Sequence, residues 1–145
     1  MRVDFYLLDA GGPEVALAPL AGKVLEAGGR LLVVAGEAAR REALSRGLWA
    51  YRGESFLANG VAGGEADARQ PILISDAVRA DNGARYLALA DGVWREPEGD
   101  FERVLLVFGE AERMAARETW RLLKGREVWD CHFWRREGAR WVQAG

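Results

Sequence analysis

Arg113, Arg117, Arg121 and Lys124 recur every three or four residues through EAERMAARETWRLLKG, so a helix over this stretch gathers all four cations into one stripe. Like charges at i and i+4 cost roughly 0.2–0.5 kcal/mol per pair, and no Glu stands four residues before any of these cations to offset them. Such a stripe suits an external anion. Trp120 lies beside Arg117 and Arg121 and adds a large apolar surface to the cationic ridge, which fits a ligand carrying both a carboxylate and a hydrophobic side chain. The alternative is a solvated helix face, with Glu110 and Glu118 pairing at i+3 to Arg113 and Arg121.

The common catalytic templates lack essential residues. A phosphate loop G-x-x-x-x-G-K-[ST] finds only Gly22 and Lys23, with Leu17 at its first glycine position and Val24 at its hydroxyl position. The turn DAGGP at 9–13 has no G-x-G-x-x-G, and it places Pro13 where a phosphate-binding amide is needed. Cys131 and His132 are the only cysteine and the only histidine. As neighbours on a strand they point to opposite faces and make no dyad. Asp9, at a strand's C-terminal end, is either a ligand-side carboxylate or a turn former. With one cysteine there is neither an internal disulfide nor a Cys/His zinc cage. No catalytic residue, cofactor or metal site is expected.

The apolar run VDFYLLD at 3–9 reads as a buried strand ending in a turn, and 14–27 as a helix stopped by Gly28 and Gly29. GRLLVVAG at 29–36 has the continuous apolar pattern of a strand covered on both faces, and EAARREALSRGLW at 37–49 is a second helix. Residues 51–71 read as a long loop with one short strand. Strands follow at 71–76, 84–92 and 103–109, the last feeding the arginine helix. Around 126–137 the residues alternate, with Trp129, Cys131 and Phe133 on one face and Val128, Asp130, His132 and Trp134 on the other. This predicts a half-exposed edge strand, a turn at Glu137 and Gly138, and a short return. The order implies a three-layer α/β/α domain spanning 1–145, with a mixed, mostly parallel, Rossmann-like sheet and helices on both faces.

The chain has 145 residues and a formal charge of −2, unevenly spread: residues 1–112 carry 12 basic and 18 acidic side chains, and 113–145 carry 8 and 4. The acidic balance argues against bulk DNA binding as the main role, while leaving a local anion site open. The first residues lack the uninterrupted apolar region of a signal peptide, and no run approaches the roughly 18 residues of a membrane span. A cytoplasmic setting is expected.

Three segments, VDFYLLD at 3–9, LSRGLWAYRGESFLANG at 44–60 and AARETWRLLKGREVWDCHFW at 115–134, together resemble the chi subunit family of the DNA polymerase III holoenzyme. The shared features are an opening F-Y-L-L strand, L-W-x-x-x-x-x-S-F after the second helix, and a basic, aromatic helix near the C-terminus. The resemblance implies a non-catalytic replisome adaptor. Such proteins join the clamp loader through the psi subunit and bind the acidic, Phe-terminated tail of single-stranded DNA-binding protein. It places Arg117 at the centre of the tail site, Trp120 and Arg121 beside it, and Arg113 and Lys124 at its margin. It also places Trp49 and Phe56 on the face that meets psi or an XPD-like helicase; the residues alone also allow both rings simply to cap the core. The other readings open at this point are a direct single-stranded nucleic-acid-binding protein, using six tryptophans and the 18 arginines among 20 cations, and a degenerate nucleotide-binding enzyme.

Overall fold

The computed structural model describes residues 1–9, 11–51, 56–137 and 140–145; Ala10, Ser55 and Gly138, which figure in the sequence reading, lie outside them. Among the described residues, eight strands form one sheet: β1 (Arg2–Leu7), β2 (Leu31–Val34), β3 (Asn59–Val61), β4 (Ile72–Ser75), β5 (Tyr86–Leu89), β6 (Arg103–Phe108), β7 (Asp130–Glu137) and β8 (Arg140–Gln143). Their order is β3-β4-β2-β5-β6-β1-β7-β8. Every neighbouring pair is parallel except β7 with β8. The helices are α1 (Pro13–Glu26), α2 (Ala38–Ala50) and α3 (Arg113–Lys124), with 3-10 turns at Asp67–Arg69 and Glu110–Glu112.

The central strands are apolar at nearly every position because both their faces are covered. All of Leu31–Val34 and Ile72–Ser75 is buried. Leu17, Leu20, Leu44 and Leu48 of α1 and α2 bury against Val33, Ile74 and Leu105 on one face. Ala116 and Leu123 of α3, with Phe101, bury against Phe5, Leu106 and Phe108 on the other. Pro13 opens α1, where its missing N–H costs nothing. Gly28 closes it at φ +82°, with the Gly28 and Gly29 amides donating to Leu25 and Val24 carbonyls 2.9 and 3.0 Å away. This is the glycine stop expected from the sequence. Gly47 lets the two helices meet: a Cβ there would stand 2.7 Å from the Glu14 carbonyl oxygen.

One expectation changes. The alternating strand at 130–137 is not an edge strand, since β7 is paired on both sides, with β1 and with β8, and β8 forms the edge. Its alternation arises because the helices only partly cover this end of the sheet. As read from the sequence, β4, β5 and β6 follow one another without an intervening α-helix: all three are parallel, and residues 76–85 and 90–102 connect them. Buried Asn82 braces the first connection, its amide donating to the Leu31 and Gln70 carbonyls at 3.2 and 3.0 Å. Among the described residues, no helix is long and apolar enough to cross a membrane.

Candidate functional site

Helix α3 is anchored by Ala116 and Leu123, which are buried on the β6/β1/β7 side of the sheet. Trp120 falls on the same side and is half-buried, its ring 5.1 Å from Phe5 and 6.4 Å from Phe133, edge-on to both. At about 100° per residue, Arg117 stands roughly 60° around the helix from Trp120, so the cations begin where the apolar face ends. Between helix and sheet lies a pocket of about 310 Å³ with Phe5, Phe108, Phe133 and Ala116 as its apolar lining, and Trp120, Arg113 and Arg117 at its helix side. Ala144 and Gly145 complete it, held along β7 by reciprocal bonds between Ala144 N and Phe133 O (2.8 Å) and between Phe133 N and Gly145 O (3.1 Å).

The stripe is therefore graded. Arg113 donates to Glu110 at 2.8 Å, one of the two internal pairings open in the sequence. The other, Glu118 with Arg121, does not form. Among the described residues no ion pair engages Arg117 or Arg121. Lys124 lies 5.5 Å from the Trp120 ring centroid as a cation–π contact, away from the pocket lining. Arg121 also lies off that lining. Chemically, the arrangement offers a forked guanidinium beside an aromatic cavity large enough for one ring. The three phenylalanines could not be assigned to it from sequence: each sits in a different strand, and only the β6-β1-β7 order brings them together.

Trp49 and Phe56 do meet. Their ring centroids are 5.4 Å apart at a 58° tilt, and they are 51% and 77% exposed. Their neighbours Leu48 and Leu57 take the core positions instead, so the two aromatics stand out as a pair rather than capping the core. This pair belongs to the α2 side of the sheet, opposite α3. The strand that follows Phe56, β3, is five strands from β1, roughly 24 Å at the usual spacing. The two candidate faces are separate.

On the α1 side of β1, Asp4 is fully buried. Its carboxylate accepts from Arg103 Nε at 2.6 Å, Arg2 Nε at 3.1 Å and the Trp134 indole at 2.8 Å. Arg103 also donates to the Tyr6 hydroxyl at 3.1 Å. Burial, reinforced by the Asp4 charge, pushes the Tyr6 phenol up to about 12. At the C-terminal ends of the strands, Asp9 accepts from the Gly11 amide at 3.2 Å and so acts as a turn former. Asp91 there is pushed up by burial but held below the usual carboxylate range overall by the Arg95 fork at 2.8 and 2.9 Å and the Gly36 and Val93 amides. Cys131 is buried on the α3 side while His132 faces the other way. Among the described residues, no three His, Cys, Asp or Glu side chains converge to hold a metal.

Comparison with known proteins identifies the family. Residues 1–129 match the family model described as DNA polymerase III chi subunit, HolC. The DNA polymerase III subunit chi of Pseudomonas aeruginosa is 30% identical over 131 residues, covering 85% of this chain and 89% of that protein. The chain belongs to the DNA polymerase III chi subunit family, and thereby to the accessory proteins of DNA replication.

Proposed function

We propose that the protein is a non-catalytic adaptor that links the polymerase III clamp loader to single-stranded DNA-binding protein by holding that protein's acidic, Phe-terminated tail in the pocket under α3. The observation that carries this is Arg117, without an ion pair among the described residues, at the lip of an aromatic cavity of about 310 Å³. The terminal phenyl ring enters between Phe5, Phe108, Phe133 and Trp120, and the carboxylates meet Arg117, with Arg113 next and Arg121 and Lys124 as outer steering charges. Burying one such ring contributes about 1.5–3 kcal/mol that salt does not screen. The exposed Trp49–Phe56 pair forms the second face, for psi or an XPD-like helicase, since paired aromatics standing out of a surface are a common docking anchor.

Calorimetric titration with a peptide ending in acidic residues and Phe tests the first face. Arg117→Ala is expected to abolish binding with thermal stability nearly unchanged; undiminished binding by this variant overturns the reading. Pull-down from cell extract tests the second face: Phe56→Ala loses the clamp-loader or helicase partner while still retaining single-stranded DNA-binding protein.

A further inference from the structure

On the face of β1 and β7 opposite the α3 pocket, a trough of about 510 Å³ runs between α1 and the β7–β8 hairpin. Its cations are Arg2, Lys23, Arg103, Arg136 and Arg140, and among the described residues no acidic side chain is part of its lining. A smaller recess of about 100 Å³ shares Tyr6, Leu20, Lys23 and Arg103 with it and extends the track along α1 toward Tyr86. Arg2 and Arg103 are engaged by Asp4 beneath, and Lys23, Arg136 and Arg140 are spread along the rest of the trough. They match a ligand that repeats its charge.

Aromatic rings are interleaved with these cations. Tyr6 stacks on Trp134 with centroids 6.2 Å apart and planes 14° from parallel, and Trp141 meets Tyr6 edge-on at 5.0 Å. Trp134 and Trp141 are half-buried and line the trough with the part of each ring left open. Arg136 lies over Trp141 at 5.5 Å, giving a flat cationic platform. The floor is rigid: Asp4 fixes Arg2, Arg103 and the Trp134 indole. Each guanidinium carries five N–H donors, and Asp4 and Tyr6 take only some of them, so both arginines retain donors for an anion above.

We infer that this trough binds a segment of single-stranded DNA, with phosphates on Arg136, Arg140 and Lys23 and bases against Trp134 and Trp141. Rings set between cations accept unstacked bases, which a duplex does not present. The strand's identity as DNA rests on membership of a replication family. The site itself does not depend on the α3 pocket or its tail ligand, and Trp134, Arg136, Arg140 and Trp141 all lie beyond residue 129, where the family match ends.

The test is fluorescence anisotropy of the whole protein with a labelled oligothymidylate of about 16 nucleotides, toward the upper end of single-strand site sizes, titrated across salt concentrations. Wild type is expected to bind at low salt with affinity falling linearly on a log–log plot. Arg136→Ala/Arg140→Ala should weaken binding at least tenfold and flatten the slope by about 1.4, at about 0.7 per single-strand phosphate contact. Lys23→Ala, on the separate and exposed end of α1, should weaken it with no change in fold, and Arg117→Ala should leave it intact. Absence of binding at low salt, equal affinity for duplex, insensitivity to the Arg136/Arg140 and Lys23 changes, or displacement of the oligonucleotide by the acidic Phe-terminated peptide would each overturn the inference.

Discussion

The two faces of β1 use the same chemical groups and finish them differently. On the α1 side, Arg2 and Arg103 close on a carboxylate that the chain supplies itself, buried Asp4, with Tyr6 and Trp134 around it. On the α3 side, Arg117 stands beside Trp120 and three phenylalanines with no ion pair among the described residues. The first cluster is complete and structural at its base. On the proposed reading the second awaits its anion, and the closed cluster displays the geometry of arginine, aromatic ring and carboxylate that a ligand would complete in the open one. The difference follows from strand alternation, since Asp4 and Phe5 are consecutive and point to opposite faces.

Removing the internal carboxylate should have the largest effect. Asp4→Ala leaves two arginines and an indole without their acceptor and should cost about 3 kcal/mol in chemical denaturation, at the low end for a broken buried pair because both arginines are partly exposed. A loss under 1 kcal/mol would erase the distinction between the closed and open clusters. Tyr6 gives the next effect, with a sign set by its raised phenol. The folded protein keeps the ring neutral to about pH 12, whereas the unfolded chain releases its proton near 10, so this stability is intact below pH 10 and is lost between 10 and 12. The loss is about 2–3 kcal/mol at about 1.4 per unit, and Tyr6→Phe should abolish that part of the pH profile.

On the open side, stability should barely respond. Arg117→Ala should stay within about 0.5 kcal/mol of wild type, as for exposed side chains without buried partners, even as it removes the acidic peptide in calorimetry. The same bound applies to Phe56→Ala, since that ring is 77% exposed and its contact is with another exposed ring. Salt separates the parts of the open cluster. Peptide affinity should fall with ionic strength and then level off at the contribution of the phenyl ring; a fall without a plateau would show that the aromatic cavity is not used.

Much of this was legible in the chain. The continuous apolar runs around 31–34, 72–75 and 103–108 marked strands covered on both faces, and Gly28–Gly29 marked the end of α1, because burial and backbone conformation act locally. The position of β7 was misread because alternation records how much of each face is covered and carries no information about which strands pair. The helix-free connections between β4, β5 and β6 were legible, but what holds them was hidden, since they rest on scattered contacts such as Asn82 to Leu31 and Gln70.

By itself, the sequence determined the α/β class, the helical stripe of Arg113, Arg117, Arg121 and Lys124 beside Trp120, and the family, all of which depend on periodicity or on motifs read along the chain. Only the tertiary structure decided that Phe5, Phe108 and Phe133 sit beneath that stripe, that Arg113 is paired while Arg117 is not, and that Trp134, Arg136 and Trp141 share a trough with Lys23. Those groupings depend on strand order and on which side of the sheet each residue faces. They join residues more than a hundred positions apart, so no local spacing encodes them.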